Sequence, residues 1–198
     1  MPRRSNLAIP LIRIGIVAGF VASLFYPLML FAPLPGIVTA WLAALLGPAI
    51  GVASIGLDQR IQLDTPSALA RLGAFFNFTA GALFCAMLMV QLTVRMNAAG
   101  SSFDPDLVGV WLGLDLAWDV YIGLGTLAFG IAMWRHPRFG IWFGATGIVL
   151  ALALLILNGA TLPTPPAEAG SIDVGPAVGI WYLAVTIQTW RSLRWIER

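Results

Sequence analysis

Six long apolar runs, separated by short polar segments, dominate the sequence. The runs cover about residues 12–31, 37–57, 72–94, 108–134, 139–158 and 177–196. Each has about the 20 residues that an α-helix needs to cross the hydrocarbon core of a bilayer. The first run is too long for a signal-peptide core, so it is read as an uncleaved helix. The pattern predicts an all-α fold, a polytopic transmembrane helix bundle with six spans, as a single domain over residues 1–198.

The segments between the runs carry turn signals. FAPLPG, DQRIQLDTPSALAR, NAAGSSFDPD, RHPRFG and TLPTPPAEAGSIDVGP combine proline, glycine and polar residues, which end apolar helices. The last segment is stiffened by several prolines. We expect it to form an outer loop that caps the bundle as a lid or packing element, through Pro163, Pro165, Pro166, Asp173 and Pro176.

Arginine placement predicts how the chain threads the membrane. If the N-terminus is cytoplasmic, ten arginines fall on the inner side and Arg95 alone falls on the outer side. Cytoplasmic loops carry an excess of arginine, so this orientation is expected, and six crossings return the C-terminus to the cytoplasm. The ten are Arg3, Arg4, Arg13, Arg60, Arg71, Arg135, Arg138, Arg191, Arg194 and Arg198. The tail TWRSLRWIER, with Trp195, is expected to continue the sixth helix along the headgroup layer.

Composition excludes several classes of protein. Hydrophobic residues make up 59% of the chain and charged residues 10%, with a mean hydropathy of +0.88, whereas soluble domains carry about 25% charged residues. The arginines sit at the ends of apolar runs, so the net charge of +2 does not indicate nucleic-acid binding. With Cys85 and His136 as the only residues of their types and no lysine, we expect no disulfide, no metal site and no cofactor.

Two acids stand inside the fourth run, in the stretch LGLDLAWDVYIGLG. Asp115 and Asp119 are four residues apart and therefore share one face of a helix. Counted from Val108, they lie roughly 10 and 16 Å below the outer end of that helix. An aspartate facing lipid at a helix centre costs about 2.5–3.5 kcal/mol. We therefore expect both side chains to point into the bundle or into a wet cavity.

The partners of these acids decide how they are interpreted. Arg95 ends the third run on the outer side, so an ion pair with Asp115 is expected. For Asp119 the candidates at similar depth are Tyr26, Asn77, Gln91, Tyr121 and Asn158, and the sequence does not select among them. The acids are then either structural groups held by a salt bridge and interhelical hydrogen bonds, or a proton or cation site.

Glycines four residues apart recur along the runs. The pairs are Gly15/Gly19, Gly47/Gly51, Gly109/Gly113, Gly140/Gly144 and Gly175/Gly179. Small residues at this spacing let helix backbones approach closely in a membrane, where apolar side chains alone gain little from association. The pairs are expected to mark helix contacts, except that Gly175/Gly179 straddles a loop end.

The second half of the chain carries a family resemblance. WDVYIGLG, RHPRFG and NGATLPTPPAEAGSIDVGPAVGIWYL, within residues 118–183, resemble an uncharacterised family of bacterial six-helix integral membrane proteins. The resemblance implies a six-helix fold in a bacterial plasma membrane. It implies no activity, cofactor or catalytic residue.

Three functions compete at this point. A non-enzymatic structural, accessory or partner-binding membrane component is favoured, whose partners are the lipid bilayer and a membrane protein or a second copy of the chain. The alternative is a small proton- or cation-linked permease that uses Asp115 and Asp119. No internal repeat supports a transporter. An intramembrane enzyme is the weakest reading, because no span carries a histidine, a metal-ligand cluster or a serine elbow motif.

Overall fold

The computed structural model describes residues 7–97 and 105–193. Within these ranges it contains six α-helices and no β-strand, which confirms the all-α prediction. Every helix overlaps one of the six apolar runs. The helices are α1 (Ala8–Phe31), α2 (Gly36–Asp64), α3 (Ala68–Asn97), α4 (Pro105–Met133), α5 (Gly140–Thr161) and α6 (Gly175–Leu193).

Five of these helices, α1 to α5, are long and apolar enough to cross a membrane. This is the architecture of a multi-pass membrane protein. The remaining helix, α6, has 19 residues but is less apolar, because Gln188 and Arg191 lie within it. Large apolar side chains such as Leu24, Val149 and Ile156 are exposed on the outer faces of the bundle, where a lipid environment would receive them.

Helices that follow one another in the chain pack side by side. The contacts run from α1 to α2, α2 to α3, α3 to α4 and α4 to α5, and α6 closes the bundle against α1 and α5. The α6 side chains Trp181 and Tyr182 reach the core, where the Trp181 indole donates a hydrogen bond to the Phe143 carbonyl of α5 at 3.1 Å.

Glycine allows close backbone contact where α2 crosses α1 and where it crosses α3. Gly15 of α1 faces Gly56 of α2, and a Cβ atom on either would overlap the other backbone. Gly47 of α2 meets the carbonyl group of Gly81 in α3 in the same way. The expected contact role therefore holds at Gly15 and Gly47, because only glycine lets these backbones touch.

The other pairs mark a helix contact only at Gly144 of α5, where a Cβ atom would overlap the Trp134 backbone and the Gly130 carbonyl of α4. Gly109 and Gly113 of α4 have no heavy atom near the position of a Cβ, and Gly179 is equally open. Gly140 has a φ of +72° and begins α5 after a tight turn, so it serves backbone conformation. Spacing alone does not separate a helix contact from an exposed glycine.

The charged residues divide between the two ends of the bundle. We call the end with the α1–α2, α3–α4 and α5–α6 connections the acidic end, and the opposite one the basic end. Among the described residues the basic end holds Arg13, Arg60, Arg71, Arg135, Arg138, Arg191, Asp58 and Asp64, and the acidic end holds Arg95, Asp106, Asp115, Asp119, Glu168 and Asp173. The predictions that concern Arg3, Arg4, Arg194, Trp195 and Arg198 lie outside the described residues.

Candidate functional site

Asp119 is buried in the bundle between α4 and α5. The residue is only 7% exposed, and its Oδ2 atom accepts a hydrogen bond from Asn158 Nδ2 at 3.0 Å. The same Asn158 amide donates to the Leu154 carbonyl at 2.9 Å. Of the candidates at similar depth, Asn158 is therefore the residue that contacts Asp119, and the contact joins α4 to α5.

The Asn158 amide has one group without a partner. Its Oδ1 atom is buried and accepts no hydrogen bond, although the residue is only 1% exposed. An unsatisfied buried acceptor costs about 1–3 kcal/mol. Because the Nδ2 atom of the same amide contacts Asp119, the unpartnered Oδ1 atom of Asn158 lies close to the Asp119 carboxylate.

Asp115 lies one turn above Asp119 and is half-buried. It makes no hydrogen bond or ion pair with any described side chain. The charges that act on it are those of Glu168 and Asp173 in the α5–α6 loop, and both repel it. Among the described residues, the charged groups that act on this carboxylate are therefore all carboxylates.

The ion pair expected between Arg95 and Asp115 is not formed. α3 and α4 are neighbours, as their short connection predicted, but Arg95 is exposed in the last turn of α3. A cation there interacts favourably with the carboxyl end of the helix and keeps its contact with water.

The α5–α6 loop contributes the other acids. Pro165 and Pro166 are buried, whereas Pro163 and Pro176 are exposed. Asp173 accepts a hydrogen bond from the Gly175 backbone amide at 2.8 Å and so begins α6. The loop thus packs on the acidic end through two of its prolines, and it places Glu168 and Asp173 within electrostatic range of the α4 acids.

Aromatic side chains border the same region. The Phe84 ring of α3 stacks on Trp118 of α4 with centroids 4.4 Å apart, and Tyr26 of α1 lies 5.7 Å from Phe84. Tyr26 is within electrostatic range of Asp115, Asp119 and Asp173. We call Tyr26, Phe84 and Trp118 the aromatic wall.

A separate polar group, the central node, consists of Ser54, Asn77, Thr126 and Tyr182. Asn77 donates its two amide hydrogens to Ser54 Oγ at 3.0 Å and to the Tyr182 hydroxyl at 2.7 Å. Thr126 lies 2.9 Å from that hydroxyl but donates its own hydrogen to the Ile122 carbonyl, so Tyr182 is the donor toward Thr126. The node joins α2, α3, α4 and α6.

All donors of the central node are used. Ser54 donates to the Ile50 carbonyl at 2.9 Å, which leaves Asn77 Oδ1 as the unsatisfied acceptor. That oxygen lies where a Cβ atom on Gly125 would be, so it packs against a bare backbone. Asn77, a candidate site residue in the sequence, therefore hydrogen-bonds within the central node and not with Asp119.

The basic end has its own buried group, the basic-end cluster. Arg60 is fully buried, and it contacts Asp64 at 2.8 Å and Ser192 Oγ at 2.7 Å. Arg138 and His136 approach the same Asp64 carboxylate at 3.7 and 3.9 Å. Sequence reasoning missed this cluster, and its available signal was the i,i+4 spacing of Arg60 and Asp64.

His136 is held neutral by its position in the α4–α5 turn. The Arg138 backbone amide donates to Nδ1 at 3.2 Å, which assigns the ring hydrogen to Nε2, where the Ile61 carbonyl accepts it at 3.4 Å. Burial lowers the pKa of His136 below its ordinary value, and the hydrogen bond to Ile61 and the charge of Asp64 oppose this only in part. The imidazole therefore serves packing at neutral pH.

Four described acids of the acidic end, Asp115, Asp119, Glu168 and Asp173, lie on α4 and in the α5–α6 loop. In the part of the chain that the structure describes, no three histidine, cysteine, aspartate or glutamate residues converge as metal ligands. We call Asp115, Asp119, Asn158, Glu168 and Asp173 the acidic site. Its chemistry is negative potential and hydrogen-bond acceptance inside a partly apolar enclosure.

Known proteins add no assignment to this geometry. No protein family, curated protein or solved structure matches the chain. The resemblance of residues 118–183 to an uncharacterised six-helix family thus stays a prediction.

Proposed function

We propose that the protein is a small proton- or cation-linked permease with six spans, and that Asp115 and Asp119 bind the cation. The unpaired state of Asp115 is the observation that carries this proposal. Its electrostatic neighbours Glu168 and Asp173 are acids, so a positive charge that enters the site lowers the electrostatic free energy. An intramembrane acid without a basic partner is the usual mark of an ion pathway.

The proposal places both termini in the cytoplasm of a bacterial plasma membrane. Among the described residues, six arginines lie at the basic end and one at the acidic end, which supports a cytoplasmic basic end. In this orientation α6 is the sixth span. Its Tyr182 hydrogen-bonds with Asn77 of α3 and Thr126 of α4, and this supports a crossing through the bundle centre.

The central node closes the pathway in this conformation. Ile122 and Thr126 continue the inward face of α4 below Asp119, and Thr126 is hydrogen-bonded into the node. The amide and hydroxyl groups of the node hydrogen-bond one another and hold α2, α3, α4 and α6 together below Asp119. Conduction therefore requires that these hydrogen bonds open.

The second candidate is the structural, accessory or partner-binding role that the sequence favours. The Asp119–Asn158 hydrogen bond supports it, because this bond joins two helices. The expected salt bridge from Arg95 does not contribute, and Asp115 then has no structural task. This role therefore explains one acid of the pair.

Ion flux into proteoliposomes tests the proposal. Vesicles that contain a pH-sensitive dye would be energised with a potassium diffusion potential, and parallel vesicles would report sodium entry. We expect flux above empty vesicles for the wild type and a loss of at least tenfold for Asp115→Asn and Asp119→Asn. Asp106→Asn, on the same helix but outside the acidic site, should conduct as the wild type.

The folded yield of each variant separates the two candidates. Size-exclusion profiles that match the wild type, together with lost flux, support the permease. Wild-type vesicles that conduct neither protons nor sodium above the empty control contradict it. If Asp119→Asn also reduces folded yield, that second result favours the structural role.

A further inference from the structure

The acidic site is rich in acceptors and lacks donors. Three groups of the site can accept hydrogen bonds but receive none from the described residues: the Asp115 carboxylate, the second oxygen of Asp119 and Asn158 Oδ1. The one amide group that donates there is Asn158 Nδ2, and its bonds to Asp119 and Leu154 use both of its hydrogens. A ligand that completes this site must bring N–H or O–H donors as well as positive charge.

The spacing of the acids favours a cation larger than a metal ion. One helical turn separates Asp115 from Asp119, about 6 Å along the axis of α4. The site lacks the convergent ligands of a metal centre among the described residues. A protonated primary amine carries one positive charge and three N–H donors, so it can bond both an aspartate and the Asn158 carbonyl oxygen.

The aromatic wall supplies the apolar half of such a site. Trp118 lies three residues after Asp115 on α4, so both occupy one helix face, and its ring stacks on Phe84. Tyr26 extends this surface and lies within electrostatic range of the acids. Aromatic faces accept both the carbon skeleton of an organic cation and part of its charge.

We propose that the acidic site binds a protonated primary organic amine, with its ammonium group between Asp119 and Asn158 Oδ1 and its carbon skeleton against Trp118, whose ring is backed by the buried Phe84. Asp115, Glu168 and Asp173 attract the cation from the acidic end. This inference rests on the proposed function, since it names the substrate class of the same site.

Calorimetric titration of the full chain in nanodiscs tests it with three matched probes. Benzylammonium has charge and N–H donors, benzyltrimethylammonium has charge without N–H donors, and benzyl alcohol has no charge. We expect benzylammonium to bind at least tenfold more tightly than benzyltrimethylammonium, and benzyl alcohol not to bind. Asp119→Asn and Asn158→Leu should each weaken benzylammonium at least tenfold, whereas Asp106→Asn should bind as the wild type.

A second variant serves as a control for loss of binding through misfolding. Trp118→Leu keeps an apolar side chain on α4, and it should weaken benzylammonium binding at least tenfold while its size-exclusion profile matches that of the wild type. Equal binding of the two benzyl cations would overturn the role of the N–H donors. Benzylammonium binding that survives in Asp119→Asn would overturn the site.

The failure of this inference is distinguishable from failure of the proposed function. Wild-type vesicles that conduct protons or sodium through Asp115 and Asp119 without binding benzylammonium contradict the inference alone. Vesicles that conduct nothing and bind no amine contradict both.

Discussion

At the basic end, the buried Arg60 guanidinium contacts Asp64 at 2.8 Å and Ser192 at 2.7 Å, whereas at the acidic end the described charges that act on Asp115 are all those of carboxylates. Both regions place ionisable groups in the same apolar bundle. In the first, opposite charges offset the cost of burial, although Arg60 Nη2 has no acceptor. In the second, nothing in the described chain offsets it.

This difference separates a structural charge from a functional one. Arg60 and Asp64 neutralise each other's charge, so the charges of the basic-end cluster are explained without a ligand. Among the described residues, Asp115 has no counter-charge and Asn158 Oδ1 has no hydrogen-bond donor. The same substitution at the two ends should therefore have opposite consequences, and this can be measured.

The largest expected effect is that of Asp64→Ala. It leaves the fully buried Arg60 without its counter-charge, and breaking a buried pair in this way costs about 3–5 kcal/mol. Equilibrium unfolding in mixed micelles, followed by reaction of the single Cys85 with a fluorogenic maleimide, measures the loss. Arg71→Ala, which removes an exposed cation of the same end, is the control. A loss below 1 kcal/mol would mean that the basic end is not held by this pair.

The second effect concerns the central node between the two ends. Tyr182→Phe removes the hydroxyl that accepts from Asn77 and donates to Thr126, so it should reduce the free energy of unfolding by about 1–2 kcal/mol. It should also raise proton flux in proteoliposomes, because it loosens the barrier below Asp119. Tyr121→Phe is the matched control, since no hydrogen bond of its hydroxyl joins it to the described residues. Unchanged stability and flux in Tyr182→Phe would remove the node from the account.

A smaller effect of opposite sign is expected from Asp115→Ala. This change relieves repulsion from Glu168 and Asp173 and removes a carboxylate from the bundle, so the free energy of unfolding should stay the same or rise by up to about 1 kcal/mol. The same micelle titration gives the value. A loss that approaches that of Asp64→Ala would show that Asp115 has a structural partner, and the contrast between the ends would disappear.

The smallest expected effect is the pH dependence due to His136. Burial lowers its pKa in the folded state, so the unfolded chain binds a proton more readily than the folded one. The stability that depends on neutral His136 is therefore present above pH about 6.5 and is lost as the pH falls below that value. The groups that face it are Asp64, Arg60 and Arg138. Thermal unfolding of the wild type and of His136→Gln between pH 5.5 and about 7.5 should show a weaker slope in the variant. Parallel curves would contradict this.

The apolar runs were enough to predict the helices but not their polar ends. The stretch DQRIQLD looks like a connection, yet α2 continues to Asp64. It does so because Gln62 donates to Asp58 at 3.0 Å and to the Ser67 carbonyl at 2.7 Å, while Arg60 pairs with Asp64. Such polar groups satisfy one another only once the helix has formed, so their pattern in the sequence resembles a loop.

The site was predictable in its acids and not in their surroundings. Asp115 and Asp119 stand out because charge is rare in the runs. The contact of Asn158 with Asp119 joins residues 39 positions apart and depends on how α4 and α5 rotate against each other. Helices that are apolar all round carry no periodic signal for that rotation. The same ambiguity led to the expected Arg95–Asp115 pair, which requires side chains on facing sides of α3 and α4.

Water access to the acidic site from outside the cell is the most direct test of its assigned role. Asp115→Cys in a Cys85→Ala background would be treated in right-side-out vesicles with a membrane-impermeant, positively charged thiol reagent. The account predicts labelling from the outside and protection from the inside. Labelling only from the inside, or only after detergent dissolves the bilayer, would contradict an outward-facing, hydrated cation site.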